Sequence, residues 1–376
     1  MDFVRPEIKA MGGYVPGEQP KGNEAVKLNT NENPYRASEK VYAAMRQAGE
    51  VGLSRYPNAM GQPFREAAAE LFDLTPDWFL CGNGSDDILT ILTRTFVGAG
   101  ELVRMACPSY ILYKSLAEIQ GAACEEIRFR DDWTLPPYFG LPADASSPDS
   151  PLRTPAPPLR LVFLPNPNSP SGTMIPQEQI AAFAKTLPCP LVVDEAYADF
   201  APSHCVELVK SNPNIIVTRT LSKAYSLAGL RFGYLIAHPD LVYELAKVKD
   251  SYNCDAVSIA GATAALRDQA WRQENLKKIL ANRAVLTQRM RELGFLVPDS
   301  CANFTWNVHR DKNVSHKAIY EFLKRHGYLV RYMNYAGWGD GLRISVGTEE
   351  QTRACLALVE RALNETEPVV TAHNKQ

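Results

Sequence analysis

Residues 159–172 read LRLVFLPNPNSPSG. The first seven are apolar except for Arg160 and do not alternate; the rest break into Asn, Pro, Ser and Gly. A continuous apolar run suits a strand covered on both faces, as in a mostly parallel sheet flanked by helices. The loop then lies at the strand's carboxyl end, the edge where open α/β sheets bind ligands. Asn166 and Asn168 donate and accept there, although the loop by itself also reads as an ordinary turn.

The pattern extends outward from this run. Strand-like stretches occupy 77–82, 101–106, 123–129, 190–196, 214–220 and 232–237, and helical stretches occupy 62–72, 86–97, 109–120, 177–187 and 239–250. This is an α/β large domain with a mostly parallel central sheet flanked by helices. After residue 256 come helices at 256–268 and 270–293, then NFTWNVH (303–309), which alternates strictly. Phe304, Trp306 and Val308 are expected on a core, with Asn303, Thr305 and Asn307 facing out. A helix at 315–326, YLVRYM, GLRISVG and a last helix at 349–363 complete a smaller α+β domain with an antiparallel sheet. The expected division is an arm of residues 1–34 packing on the small domain, a large domain 35–255, a small domain 256–365 and a tail 366–376. The Pro- and Ser-rich insert 136–158 is expected to be an exposed loop.

The chain has 376 residues with 40 Lys plus Arg against 42 Asp plus Glu, a net charge of −2. That balance argues against a general nucleic-acid binder, which carries a basic stripe. Any anionic ligand is therefore held by a few local cations. The eight cysteines form no C-x-x-C pair, which implies reduced thiols and no metal site. No run of apolar residues is long enough to span a membrane and the first residues lack a signal-peptide core, so a cytoplasmic protein is expected.

Four motifs carry chemistry. CGNGSDD (81–87) follows a strand and opens a helix. Its glycines allow close backbone approach, Ser85 and Asp86 are N-cap types, and the place suits an anion such as a phosphate. It lacks the third glycine of a dinucleotide fingerprint, which weakens a nicotinamide-dependent oxidoreductase as the alternative. LPNPNSPSG adds its asparagines. LVVDEAYADF (191–200) puts Asp194 at a strand end, where a desolvated carboxylate needs a partner, and Tyr197 three residues on. RTLSKAYSLAGLRFGY (219–234) puts Lys223 just past another strand end, with Arg231 eight residues later. An isolated lysine is usually a solvated surface residue, and an isolated Asp a cap. Together they match one cofactor, pyridoxal phosphate. Its aldehyde takes a lysine amine, its ring nitrogen a carboxylate, its phenolate oxygen a donor, and its phosphate N–H groups and a cation.

With these motifs the sequence resembles the fold-type I pyridoxal-phosphate aminotransferases of class I/II, in their histidinol-phosphate aminotransferase branch. The resemblance runs from LNTNENPY (28–35) to GLRISVG (341–347) and implies the pyridoxal-phosphate-dependent transferase fold. It implies that Lys223 links to the cofactor and moves the substrate proton. It implies that Asp194 partners the pyridine nitrogen, Tyr197 donates to the phenolate oxygen and Tyr110 stacks on the ring. Gly84, Ser85, Asp86, Ser222 and Arg231 match the phosphate cradle. Tyr56 is similar to a tyrosine that reaches the neighbouring subunit's site, which implies a homodimer with shared active sites. Arg331 and Arg343 match substrate-side arginines, and Tyr14 and Asn33 are placed with them.

One position departs from the family pattern N-P-N-N-P-T-G: Ser169 stands where an asparagine touches the phenolate oxygen, and Asn168 is the substitute. The implied reaction converts histidinol phosphate and 2-oxoglutarate to imidazole acetol phosphate and glutamate, in histidine biosynthesis. Two arginines suit a dianionic phosphate better than a lone carboxylate. Transamination of aromatic amino acids and a threonine-phosphate decarboxylase of the same fold are the alternatives within the class. A non-catalytic cofactor-binding regulator is a third, and no spare segment is long enough for its DNA-binding domain.

Overall fold

The apolar runs form one seven-stranded sheet: β1 (Phe79–Gly82), β2 (Leu102–Cys107), β3 (Ala123–Arg128), β4 (Leu159–Pro165), β5 (Leu191–Asp194), β6 (Ile215–Thr220) and β7 (Gly233–Ile236). The structure is a computed structural model and describes residues 3–13, 17–20, 25–142 and 157–365. Strand order is β1-β7-β6-β5-β4-β2-β3. The pairings among β3, β2, β4, β5 and β6 are parallel, and β7 runs antiparallel to both β6 and β1. Every residue of β5 and β6 is buried, as strands covered by helices on both faces must be. From β2 the chain moves outward to β3, whereas from β4 it moves the other way through β5 to β6. The carboxyl ends of β2 and β4 therefore flank a topological switch point, where a crevice opens.

A second, four-stranded antiparallel sheet is built from Phe295–Leu296, Phe304–His309, Arg331–Tyr335 and Gly339–Ser345. Its register sets Trp306 and Arg331 on either side of Arg343. Near the N-terminus, Val26–Lys27 pairs in parallel with Tyr328–Leu329.

Three features differ from the sequence pattern. Asn303, Thr305 and Asn307, expected in solvent, are each 0% exposed. Helices Gln269–Glu292 and His316–Arg325 pack on this sheet, so strand alternation here separates two buried environments. The polar side chains pair inside: the Asn307 amide donates to Leu342 O at 2.9 Å, and that of Asn303 to Asn31 O at 3.0 Å. The start of the Pro-rich insert is not an exposed loop either. Phe139 and Gly140 are buried against Phe183, where a Cβ on residue 140 would collide, and the Arg104 guanidinium donates to Phe139 O at 2.7 Å. Most of that insert (143–156) lies outside the described residues. Finally, Glu39–Val51 is a helix capped by Ser38, packed along helix Ala256–Arg267.

Candidate active site

The strand ends deliver side chains to the crevice one element at a time. At the end of β1, helix Ser85–Phe96 starts from Gly84, whose φ is +84°. The cap is this glycine and not Ser85 or Asp86, which sit inside the first turn, and no side chain caps the helix. The first N–H groups and the positive end of the helix dipole thus face the crevice. Arg231 lays its guanidinium against Gly84, where any Cβ would overlap it, and bonds Asp86 Oδ2 at 3.3 Å. Gly233 is needed as well, since a Cβ there would overlap the backbone of Gly84 and Ser85. Thr220 pairs with Gly233 across the sheet, which brings Ser222 to the same end. Buried Ser222 accepts from the Thr220 hydroxyl at 3.0 Å and keeps its own hydrogen to donate. N–H groups, a hydroxyl and a guanidinium are thus gathered at one end of the sheet, a set of donors suited to an anion.

Asp194 closes β5 and is buried. Its Oδ2 accepts from the Tyr113 hydroxyl at 2.6 Å, and its Oδ1 from Thr218 and the Ala196 N–H, each at 3.2 Å. Burial pushes its carboxyl up from the ordinary range, while these three donors favour the ionised form. Tyr113 lies flat on Phe163, ring centroids 4.7 Å apart, and meets the edge of Tyr110 at 5.7 Å. Tyr110 in turn donates to Asp86 at 3.1 Å.

Lys223 follows β6. Its ammonium is partly buried and donates to Thr30 O at 3.0 Å. Burial first, then the positive charge of Arg343, lowers its pKa to about 8. The lysine stands 5.9 Å from the centre of the Tyr197 ring. Around it runs a strap, residues 29–33. Asn29 O accepts from Arg343 Nη2 at 3.0 Å, Thr30 O accepts from Lys223, and the Asn31 amide donates to the Tyr197 hydroxyl at 2.9 Å. The Asn33 amide donates to the backbone carbonyls of Lys223 and Ala224 at 3.1 and 3.3 Å. Asn33 therefore grips the lysine's backbone, where the sequence reading places it on the substrate.

Arg343 reaches from the second sheet over the crevice. Its Nη1 donates to Ser169 Oγ at 2.9 Å, and its guanidinium lies 5.3 Å over the Phe304 ring. Arg331 is its direct cross-strand neighbour. Asn168 does not offer the donor expected of it: its amide nitrogen is engaged by Pro108 O at 3.3 Å and Ser171 Oγ at 3.0 Å. Ser169 is the polar group of that loop that meets Arg343. Tyr56 takes part in none of these contacts; it is 80% exposed and stacked on Tyr252 at 4.4 Å. Tyr14 lies outside the described residues.

Tyr113, Thr218, Asn31 and the strap carbonyls escape the sequence reading. Only Tyr113 leaves a trace, three residues after Tyr110 in the same short motif, with Tyr110 just before helix Leu112–Gln120 and Tyr113 in its first turn. Among the described residues no group of three His, Cys, Asp or Glu side chains could hold a metal ion. No helix among them is long and apolar enough to cross a membrane.

A mostly parallel sheet with its switch-point crevice, an amine of lowered pKa, a buried carboxylate and a helix N-terminus beside a guanidinium form a set suited to an α/β enzyme with an anionic cofactor. Residues 23–358 match the family of class I and II aminotransferases, and the chain belongs to it. It is 51% identical to the histidinol-phosphate aminotransferase of Rhodopirellula baltica over 360 residues, 96% of this chain and 95% of that one. It is 40% identical to histidinol-phosphate aminotransferase 1 of Trichormus variabilis over 351 residues, 93% and 96% of the two chains. The crystal structure of histidinol-phosphate aminotransferase from Sinorhizobium meliloti in complex with pyridoxal-5'-phosphate is similar with a TM-score of 0.83 at 25% identity, covering 97% of this chain and 98% of that one.

Proposed function

We propose that this chain catalyses pyridoxal-phosphate-dependent transamination of histidinol phosphate with 2-oxoglutarate, yielding imidazole acetol phosphate and glutamate for histidine biosynthesis. What supports this reading is that Lys223, Asp194 and Arg231 follow the ends of neighbouring strands, that one strap bonds Lys223, Tyr197 and Arg343, and that Arg331 is the cross-strand neighbour of Arg343. Like charges directly opposite on neighbouring strands are unfavourable, and a dianionic substrate group offsets that cost.

The residues present fit the cofactor. Gly84 lets the Arg231 guanidinium lie against the start of helix Ser85–Phe96, Gly233 lets that backbone approach its strand, and Arg231 supplies a cation there. In this reading Ser85, Asp86 and Ser222 complete the phosphate site, Tyr110 stacks on the ring, Asp194 meets the ring nitrogen and Tyr197 donates to the phenolate oxygen. Bound there, pyridoxal phosphate supplies an aldehyde that condenses with amines and a ring that accepts electrons.

The protein's own groups do the rest. Lys223 Nζ, with a pKa of about 8, is neutral often enough to act as nucleophile and then as base at the substrate Cα. Asp194, whose three donors favour the ionised form against the upward push of burial, is the partner of a protonated ring nitrogen in this reading. Arg331 and Arg343 orient the substrate's anionic end, and Arg343, tied to Ser169 and Asn29 O, also takes the carboxylate of the oxo acid.

The reading includes a large unit of residues 35–255 and a small unit 256–365. The expected arm 1–34 divides between them: Val26–Lys27 pairs with Tyr328–Leu329 of the small unit, whereas helix Pro6–Ala10 packs on helix Leu112–Gln120 of the large unit and Arg5 donates to Ile119 O at 2.8 Å. It also includes a cytoplasmic homodimer in which Tyr56, exposed beside Tyr252, enters the partner's site. Steady-state kinetics on a panel of amino donors test the function. Histidinol phosphate should show the highest kcat/KM; preference for phenylalanine or tyrosine would overturn the substrate, and purified protein that takes up no pyridoxal phosphate would overturn the chemistry.

A further inference from the structure

We propose that Asn31 is a positioning residue that sets the direction of the Tyr197 hydroxyl, and that it does so because Ser345 of the second sheet holds its amide in one orientation. The inference rests on the functional reading above.

It follows from hydrogen-bond directions. Ser345 Oγ accepts from the Asn31 backbone N–H at 2.9 Å, so its own hydrogen is available to donate, and it does so to Asn31 Oδ1 at 3.0 Å. With its oxygen fixed, the amide must turn its Nδ2 to the other side. There it donates to the Tyr197 hydroxyl oxygen at 2.9 Å. A phenol that accepts on this side keeps its hydrogen for an acceptor elsewhere, and among the described residues none takes it. Asn31 and Ser345 are buried, and Tyr197 is partly buried with its ring against Phe304, centroids 5.0 Å apart. Asn31 sits at φ +56°, in the left-handed region that Asn and Asp tolerate better than most side chains. The charged groups that face Tyr197 are Arg343, Asp194 and Asp86 from three other elements, and Lys223 beside its ring. Lys223 and Arg343 bond the neighbouring strap carbonyls of Thr30 and Asn29, and the Asn31 side chain bonds neither of them. Ser345 lies two residues from Arg343 on the same strand, so the bonds also tie the substrate-side strand to the tyrosine.

Asn31→Asp is the decisive substitution. It keeps the shape and the backbone tolerance, and it replaces the donor to Tyr197 by an acceptor. The phenol then turns its hydrogen toward residue 31 and away from the cofactor. Two quantities read this: the dissociation constant of pyridoxal phosphate from the protein, followed by fluorescence, and the pH midpoint of the visible absorbance of the bound cofactor. Both are measured for wild type, Asn31→Asp, Tyr197→Phe and the double variant. Asn31→Asp should raise the midpoint by about one pH unit and weaken binding about tenfold, the scale of one hydrogen bond to a charged group. In the Tyr197→Phe background it should change both by less than about a third as much. Ser345→Ala, which frees the amide to rotate, should move the midpoint in the same direction by a smaller amount. Equal shifts in both backgrounds would mean that the new charge acts without the tyrosine and would overturn the role of Asn31. A wild-type protein that binds no pyridoxal phosphate would overturn the functional reading, and this proposal with it.

Discussion

Two buried carboxylates stand side by side at the end of β5 in different surroundings. Asp194 looks into the crevice, and its partners are a phenol, a hydroxyl and a backbone N–H. Glu195 looks behind the sheet, where Arg219 Nη1 bonds it at 2.8 Å and Arg219 Nη2 bonds Asp199 at 2.9 Å, with Arg272 adding a contact to Asp199 at 3.4 Å. Burial pushes both carboxyls up. Behind the sheet a cation answers that push, and Arg219 is itself held above its ordinary range by Asp199, Tyr234 and Glu195 despite burial. In the crevice the hydrogen-bond partners of Asp194 are all neutral donors. A carboxylate neutralised by its own chain serves the fold; one surrounded by neutral donors is poised for binding.

The largest expected effect concerns Lys223, on the crevice side. Lys223→Ala should lower transamination by at least about 10⁴-fold, with an unchanged far-ultraviolet circular dichroism spectrum. Retained turnover would contradict its role.

The next pair separates the two carboxylates directly. Asp194→Asn should reduce turnover about 100-fold or more and leave urea unfolding of the cofactor-free protein nearly unchanged, because no buried cation is orphaned. Glu195→Gln weakens the compensation of buried Arg219 and should cost about 3 kcal/mol of unfolding free energy. Similar stability losses in the two variants would break the distinction.

Arg331→Ala should lower kcat/KM for histidinol phosphate about 100-fold, and for phenylalanine by less than about 5-fold. Equal losses would argue against a phosphate clamp.

The smallest effect is a pH dependence. Lys223 titrates at about 8 in the folded, cofactor-free protein, against 10.5 as the ordinary value. Between those pH values the unfolded chain holds more protons, so stability rises with pH across that window. Lys223→Met should therefore be more stable than wild type below pH 8, by on the order of 1–3 kcal/mol, and the gap should close toward pH 10.5. A gap independent of pH would mean that the lysine is not desolvated.

The sequence made much of this site legible, unevenly. Strand β4 begins and ends where its apolar run does, at Leu159 and Pro165, and β6 and β7 are displaced by a single residue at their ends. Continuous apolar runs announce strands buried on both faces, and residues at their carboxyl ends announce the crevice. Lys223 and Asp194 could be placed there for that reason, as could the glycines of the cradle. Asn33 and Asn168 were legible as polar residues near the site but not in their partners, since an amide's engagement depends on which carbonyl the fold brings near. Thr305 and Asn307 alternate as solvent-facing residues do, yet helices cover their face. Tyr113 resembles a core aromatic, and only its hydroxyl contact with Asp194 distinguishes it.

By itself, then, the sequence determined which elements form, which edge of the sheet is chemically armed, and which family's motifs it carries. These are properties of local pattern: apolar period, turn residues and spacing within one strand-and-loop unit. Only the tertiary structure decided that residues 29–33 strap Lys223, Tyr197 and Arg343 together, that Arg331 faces Arg343, and that Asp194 has no cation among its hydrogen-bond partners while Glu195 is paired with one. Those facts join residues far apart in the chain, often through backbone carbonyls that every amino acid carries, and no local pattern encodes which of them will meet.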